Sequence, residues 1–268
     1  MSLLRPLLSW TASLLLACAA QAQTLPILNA SFEANAAPAG GFPVLVPDHW
    51  ILYDPDGIVD QNHNAVGLLN PTGTTFFTNP NGVPDGSNAA LIYLEQVAGT
   101  TVAGSPVGLF QPLDAGLTAH TRYTLTVHVG NIASGTGLGP FAGFGFTDLS
   151  GFPGYRVELL AGGAVVASDD NSVAIGEGQF GLVTVELLVG ASHAQLGQGL
   201  GVRLINLNAT GLAAERGREV DFDQVALLAS PVPEPATAAL WVGGLMLLGM
   251  RWSKHVQRRR EARSFAPA

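Results

Sequence analysis

The residues of this chain that could do chemistry are scattered, and most familiar catalytic patterns are missing. The stretch from Asp54 to Asn64 holds Asp54, Asp56, Asp60, Asn62 and Asn64, which invites a calcium-loop reading. An EF-hand loop wants Gly at its sixth place and a distal Glu, whereas Gly57 stands fourth and no Glu follows within reach. A turn-rich loop is expected there instead. The segment Gly135 to Gly154, rich in Gly and Phe, contains Gly-x-Gly patterns, but neither a helix nor a lysine follows to receive a phosphate. It is expected to be a long connection whose Phe141, Phe144, Phe146 and Phe152 either pack beneath the domain or line a groove. No Gly-x-Ser-x-Gly elbow occurs, and the histidines show no metal-ligand spacing. His128 is expected on a solvated strand face. Trp50 and Tyr53 are the candidate ligand-binding residues, as flat rings on which a sugar could stack; Tyr93 and Tyr155 have the same chemistry. All four are also the kind of residue that fills a sandwich interior. Paired carboxylates act by spatial separation, so the sequence singles out no catalytic pair.

Composition narrows the field of partners. Residues 24 to 230 carry five arginines, no lysine and 18 acidic residues, a net charge of −13 that the −8 of the whole chain conceals. Such a segment lacks the basic footprint that nucleic acid requires. Cys18 is the single cysteine, so cleavage after residue 22 would leave a mature protein without disulfides or thiol chemistry.

The elements that must position these residues are short strands. In Thr121 to Val129, Tyr123, Leu125, Val127 and Val129 alternate with Thr124, Thr126 and His128, the period of a half-buried strand. Residues 89–94, 155–160, 164–167, 182–189, 201–207 and 220–228 read the same way, and Ala161-Gly162-Gly163 reads as a hairpin turn. Many close strands and no amphipathic helix predict an all-β, antiparallel β-sandwich of jelly-roll type over residues 24–229.

Several short motifs carry a resemblance. Leu28-Asn29-Ala30-Ser31-Phe32-Glu33, Trp50, Pro84-Asp85-Gly86-Ser87-Asn88, Tyr123 to Val127 and Asp221-Phe222-Asp223-Gln224-Val225 are similar to galactose-binding-like jelly rolls and carbohydrate-binding modules. The resemblance implies an opening strand at Asn29–Glu33 lying beside the closing strand, with a structural Ca2+ where they meet. Glu33 and Asp223, with Asp221, are the positions it implies as oxygen ligands. Period two puts Asp221 and Asp223 on one strand face, where both could equally be solvated.

The two ends read as processing signals. Arg5, the apolar run to Ala20 and Ala20-Gln21-Ala22 form a secretory signal peptide over residues 1–22, with Leu15 to Cys18 as a competing lipidation site. After a linker at 230–235, Ala236 to Met250 is apolar within an expected transmembrane helix at 236–252, and a basic cytoplasmic tail follows at 253–268. Fifteen helical residues span about 22 Å against a hydrocarbon core of about 30 Å, so Arg251 would snorkel to complete a transmembrane helix. Val232-Pro233-Glu234-Pro235, this helix and the arginine cluster together resemble the PEP-CTERM sorting signal. That resemblance implies an exported, inner-membrane-anchored protein of a Gram-negative bacterium, sorted by an exosortase to the cell surface or extracellular matrix. The prolines are expected to keep Ser230 to Pro235 out of the preceding strand.

These readings predict a non-enzymatic exported protein with exosortase, membrane and exopolysaccharide as partners. The alternatives are a purely structural matrix protein and a polysaccharide-active enzyme.

Overall fold

The computed structural model describes residues 21–78, 82–95, 104–209, 217–232 and 246. They form an antiparallel β-sandwich. One sheet runs β11 (Gln179–Val189), β6 (Thr121–Asn131), β13 (Gly217–Pro231), β4 (Ala89–Glu95), β3 (Asn64–Leu69), with β1 (Gln23–Leu25) also paired to β13. The other runs β10 (Ala164–Asp170), β9 (Tyr155–Ala161), β12 (Gly199–Asn206), β5 (Val107–Gly116), β2 (Ile51–Tyr53). A small ribbon of β7 (Gly135–Thr136) and β8 (Phe146–Thr147) flanks a 3-10 turn at Gly139–Phe144.

Alternation builds the core. Tyr123, Leu125, Val127 and Val129 of β6 point inward with Val220 and Phe222 of β13 and Ile92 of β4. They meet Leu109, Val157, Leu159, Val202 and Leu204 from the facing sheet. Each such side chain contributes about 1.5–3 kcal/mol by leaving water, and Phe222→Ala should cost about 3–5 kcal/mol through the cavity it leaves. The expected hairpin is present: Ala161 pairs with Ala164, and Gly162 and Gly163 take the positive φ a two-residue turn needs.

Two expectations are corrected. Asn29–Glu33 forms a turn rather than an opening strand; Asn29 and Phe32 both have positive φ, and the first strand is β1. Ser230 and Pro231 belong to β13, opposite Arg122 and Thr121, and the Val232 N–H donates to the His120 carbonyl. Pro231 is tolerated because β1 pairs only as far as Ala229, so its missing N–H faces no strand. Strands β2, β3 and β5 were not anticipated. All six residues of β3 are buried, so no alternation marks it, and β5 contains Pro112 and Gly108. Among the described residues no helix is long and apolar enough to cross a membrane. Residues 1–20, 233–235, the rest of the apolar stretch apart from Met246, and the basic tail lie outside them.

Candidate active site

The alternation that sends Val220 and Phe222 into the core sends Glu219, Asp221 and Asp223 to the opposite face of β13. On that face β4 presents Leu91, Tyr93 and Glu95, and Tyr93 lies directly across from Glu219. A sheet face rich in carboxylates would ordinarily look at water. Here loops cover it. The Pro43–Val44 segment crosses β3 at Gly67, where a side chain would put its Cβ 2.5 Å from the Pro43 carbonyl oxygen. Gly67 is therefore what lets this covering segment approach. Phe76, Phe77, Ile132 and Leu149 come from two further connections and pack with Leu69 and Leu91 as a second apolar cluster.

Between sheet and loops lies a cavity of about 360 Å3. Phe42, Phe76, Leu91, Tyr93, Phe144 and Leu149 supply its apolar walls, and Glu219 reaches it from the sheet. Phe144 is exposed at the mouth while ring-packing on Phe42 at 5.4 Å. Cavities of this size take small organic ligands.

Glu219 is 5% exposed and Asp221 is fully buried. No hydrogen-bond partner reaches either Asp221 oxygen or Glu219 Oε1, and the two carboxyl groups are neighbours on one face of the strand. Two neighbouring carboxyls without a counter-charge are not both ionised in so dry a place, and burial favours the protonated form. Desolvation pushes the Asp221 carboxyl well above the usual carboxylate range, and the Glu219 charge pushes it further. Burial raises Glu219 as well, partly offset by the neighbouring Asp221 carboxyl. The pair titrates as a unit and holds at least one proton at neutral pH. Burial, with the Glu95 and Glu219 charges behind it, also raises the Tyr93 phenol, which stays a neutral O–H. Chemically, this is a dry general acid set beneath an apolar, aromatic cavity.

The expected calcium ligands do not form one set. Asp221 belongs to the acid pair. Glu33 and Asp223 do approach, joined by Asp85 rather than Asp221. Glu33 Oε1 accepts from the Ser87 and Asn88 N–H groups, and the two Asp223 oxygens accept from the Asp85 and Gln224 N–H groups. Burial first, then the Asp85 and Glu33 charges, push Asp223 up to about 7. Among the described residues no group of three His, Cys, Asp or Glu side chains is disposed to hold a metal ion.

The expected stacking rings are also elsewhere. Trp50 is buried against Phe32 at 5.3 Å and donates its indole N–H to the Asn29 carbonyl. Tyr53, on β2 of the other sheet, lies under the Arg203 guanidinium at 4.2 Å. Neither lines the cavity. In the Gly/Phe segment, Phe144 lines the cavity, Phe141 packs on Phe42 at 4.7 Å, Phe146 is exposed, and Phe152 packs on Tyr155. The Asp54 and Asp60 carboxylates each accept neighbouring backbone N–H groups, as turn residues do. His128 is half-buried rather than solvated. Of the sorting motif only Val232 is described.

Glu219 is not singled out by the sequence, and Tyr93 is named there only as a ring on which a sugar could stack. The available signal was the run Glu219-Val220-Asp221-Phe222-Asp223, three acids on one face alternating with Val220 and Phe222 on the other.

Comparison with known proteins places the chain in a family. A Stig cyclase, Fisc, from Fischerella sp. TAU, solved with (3Z)-3-(1-methyl-2-pyrrolidinylidene)-3H-indole, is 36% identical; the match covers 79% of this chain and all of that one, with a TM-score of 0.63. A cyclase from Fischerella sp. TAU in complex with 4-(1H-indol-3-yl)butan-2-one is 38% identical, with 79% and 100% covered and a TM-score of 0.62. No curated protein matches the chain. The family model described as HpiC1 cyclase matches residues 23–228, and the chain belongs to this HpiC1-like family.

That membership overturns the expected non-enzymatic role. It replaces both the carbohydrate-binding-module and the PEP-CTERM recognition, and with them the matrix role and the exosortase, membrane and exopolysaccharide partners. The motifs behind the first resemblance belong to a sandwich scaffold, and a scaffold does not fix function. The second rested on the chain's last residues, whereas the family match covers the folded domain.

Proposed function

We propose that this protein is an acid-initiated cyclase acting on a small, unsaturated substrate of the indole class. The observation that carries the reading is the buried, unpartnered Glu219–Asp221 carboxyl pair, of which Glu219 lines a 360 Å3 apolar cavity. The indole-type molecules bound by the two similar cyclases supply the substrate class. The pair delivers its proton to a carbon–carbon double bond of the substrate, leaving a cation. A second double bond attacks that cation, one carbon–carbon bond forms, and a proton lost from the cyclised cation returns to the pair. Product and substrate are isomers, so the cycle needs no oxidant and consumes no water. The apolar walls keep water from the cation, and the faces of Phe42, Phe76 and Tyr93 stabilise it electrostatically.

The test is turnover of an alkene-bearing indole by wild type, Glu219→Gln and Asp221→Asn, alongside binding of 4-(1H-indol-3-yl)butan-2-one. The expected result is lost turnover with binding retained within a few-fold. Wild-type turnover by a variant lacking both acids would overturn the mechanism.

Two finer points belong to the same reading. The sandwich is a jelly roll, supported by the adjacency of β1 and β13 in one sheet. The enzyme is exported by residues 1–22, supported by a family match that starts at residue 23; a mature N-terminus determined by mass other than Gln23 would refute it.

A further inference from the structure

Asp221 sits in a row of residues that crosses the sheet. Phe180 of β11 pairs with Gly130 of β6, Gly130 pairs with Asp221 of β13, and Asp221 pairs with Leu91 of β4. All share the outer face, and Gly130 puts no side chain between its neighbours. A Cβ built at Gly130 would meet the Phe180 ring carbons Cε1 and Cζ at 2.8 and 2.9 Å and the Asp221 Cβ at 3.0 Å. The Phe180 ring therefore leans across the glycine onto the aspartate. It is held there by Phe77, whose ring centroid lies 4.5 Å away.

Beyond Phe180 is a second hollow, of about 490 Å3, and it differs in character from the first. Thr78, His128, Gln179 and Gln224 line it with polar groups, and Phe180 forms part of its wall. One ring thus separates a water-accessible polar hollow from the flank of a buried acid.

We propose that Phe180 is a positioning residue that seals the Asp221 side of the acid pair against water entering from the polar hollow. Gly130 is the space that seal requires. The inference rests on the Glu219–Asp221 acid of the proposed function and adds what keeps it dry. Phe180 touches no substrate; it acts through Asp221.

The groups that face this region are few. Glu219 and Asp223 come from β13, Tyr93 and Glu95 from β4, and His128 from β6. Burial lowers the His128 imidazole, which therefore adds no positive charge at neutral pH. On β11 the nearest ionisable group is Glu186, ion-paired with Arg122, and the covering loop brings Asp148. No described cation faces Asp221 to hold it ionised, so its exposure to water decides its charge.

The experiment is infrared spectroscopy of the full chain, reading the C=O stretch of a buried, protonated carboxylic acid across pH, with kcat and KM in parallel. Wild type should show such absorption at neutral pH, and the part that Asp221→Asn removes, leaving any from Glu219 and Asp223, is the Asp221 band. Phe180→Ala should lose most of the band at neutral pH and regain it on acidification, with kcat down roughly tenfold at neutral pH and KM changed less. Phe180→Leu, which keeps apolar bulk, should retain the band. Should Phe180→Ala fail to fold, Gly130→Ala serves, because the new methyl displaces the ring. A Phe180→Ala protein with the wild-type band at neutral pH overturns the seal and leaves the proposed acid standing. A wild type without the band overturns the acid itself.

Discussion

Two buried acidic sites lie on opposite sheets of this molecule, and they are neutralised in opposite ways. Glu158 of β9 is 3% exposed and faces Arg203 of β12, whose Nε donates to Glu158 Oε2 at 2.6 Å. Arg156 approaches from the other side at 3.9 Å and spends its main hydrogen bond on Asp170. Tyr53 closes over the Arg203 guanidinium. Glu219 and Asp221 are as deeply buried but have only each other and a proton. A buried charge is tolerable when a counter-charge is fixed beside it; without one, the group gives up its charge. The first solution makes structure. The second leaves a proton that can be given away.

The largest effect expected from breaking this contrast is on turnover. Asp221→Asn or Glu219→Gln should lower kcat by about 10^2–10^4, the usual contribution of a general acid. Glu158→Gln should leave kcat per folded molecule unchanged. Kinetics on the three purified variants check this, and a comparable loss in Glu158→Gln would erase the distinction.

Stability should respond the other way round. Arg203→Met leaves Glu158 buried without its main partner, which typically costs 3–5 kcal/mol, or about 2–4 °C in melting temperature for each kcal/mol in a domain of this size. Asp221→Asn removes a group whose ionised form the fold disfavours, so above neutral pH it should melt no lower than wild type. Thermal melts at pH 8 compare the two.

How far the sequence spoke follows the same division. Strands with one face in the core announced themselves by alternation: β6 and β11 were legible because Val and Leu alternate with Thr in them. β3 was not, since loops bury its second face and alternation disappears. Those loops also make the active site. Asp221 and Asp223 were legible as same-face acids, but their environment was not. Whether such a face meets water or a cavity is decided by residues such as Phe42, Phe76 and Leu149, far away in sequence. Trp50 and Tyr53 misled because a large ring serves a core and a ligand groove equally well.

The pH dependence of stability sharpens the contrast further. In the unfolded chain Glu219 and Asp221 titrate near pH 4; in the folded protein both are raised by burial. Asp223, raised by burial to about 7, acts in the same direction. Between those limits the native state binds more protons than the unfolded state, so stability falls as pH rises from about 4 through the raised values, then levels off. Melts across that range should show the decline in wild type and a shallower one in Asp221→Asn. Equal slopes would mean that Asp221 is already ionised in the native state.

The smallest effect concerns the tyrosine beside each site. Tyr53 offers Arg203 the face of its ring, which phenylalanine also has, so Tyr53→Phe should change neither activity nor melting temperature appreciably. Tyr93 stands on β4 directly across from Glu219 of β13 and contributes to the cavity wall, where its neutral O–H is available to a substrate or to the acid pair. Losing one such hydrogen bond is worth about 0.5–1.5 kcal/mol, a two- to roughly tenfold fall in kcat/KM for Tyr93→Phe, with melting temperature held. The division of that fall carries the information. If it lies in KM, the hydroxyl only helps hold the substrate; if it lies in kcat with a changed pH profile, Tyr93 tunes the proton shared by Glu219 and Asp221. An effect of Tyr53→Phe as large as that of Tyr93→Phe would mean that the Arg203 site is more than structural.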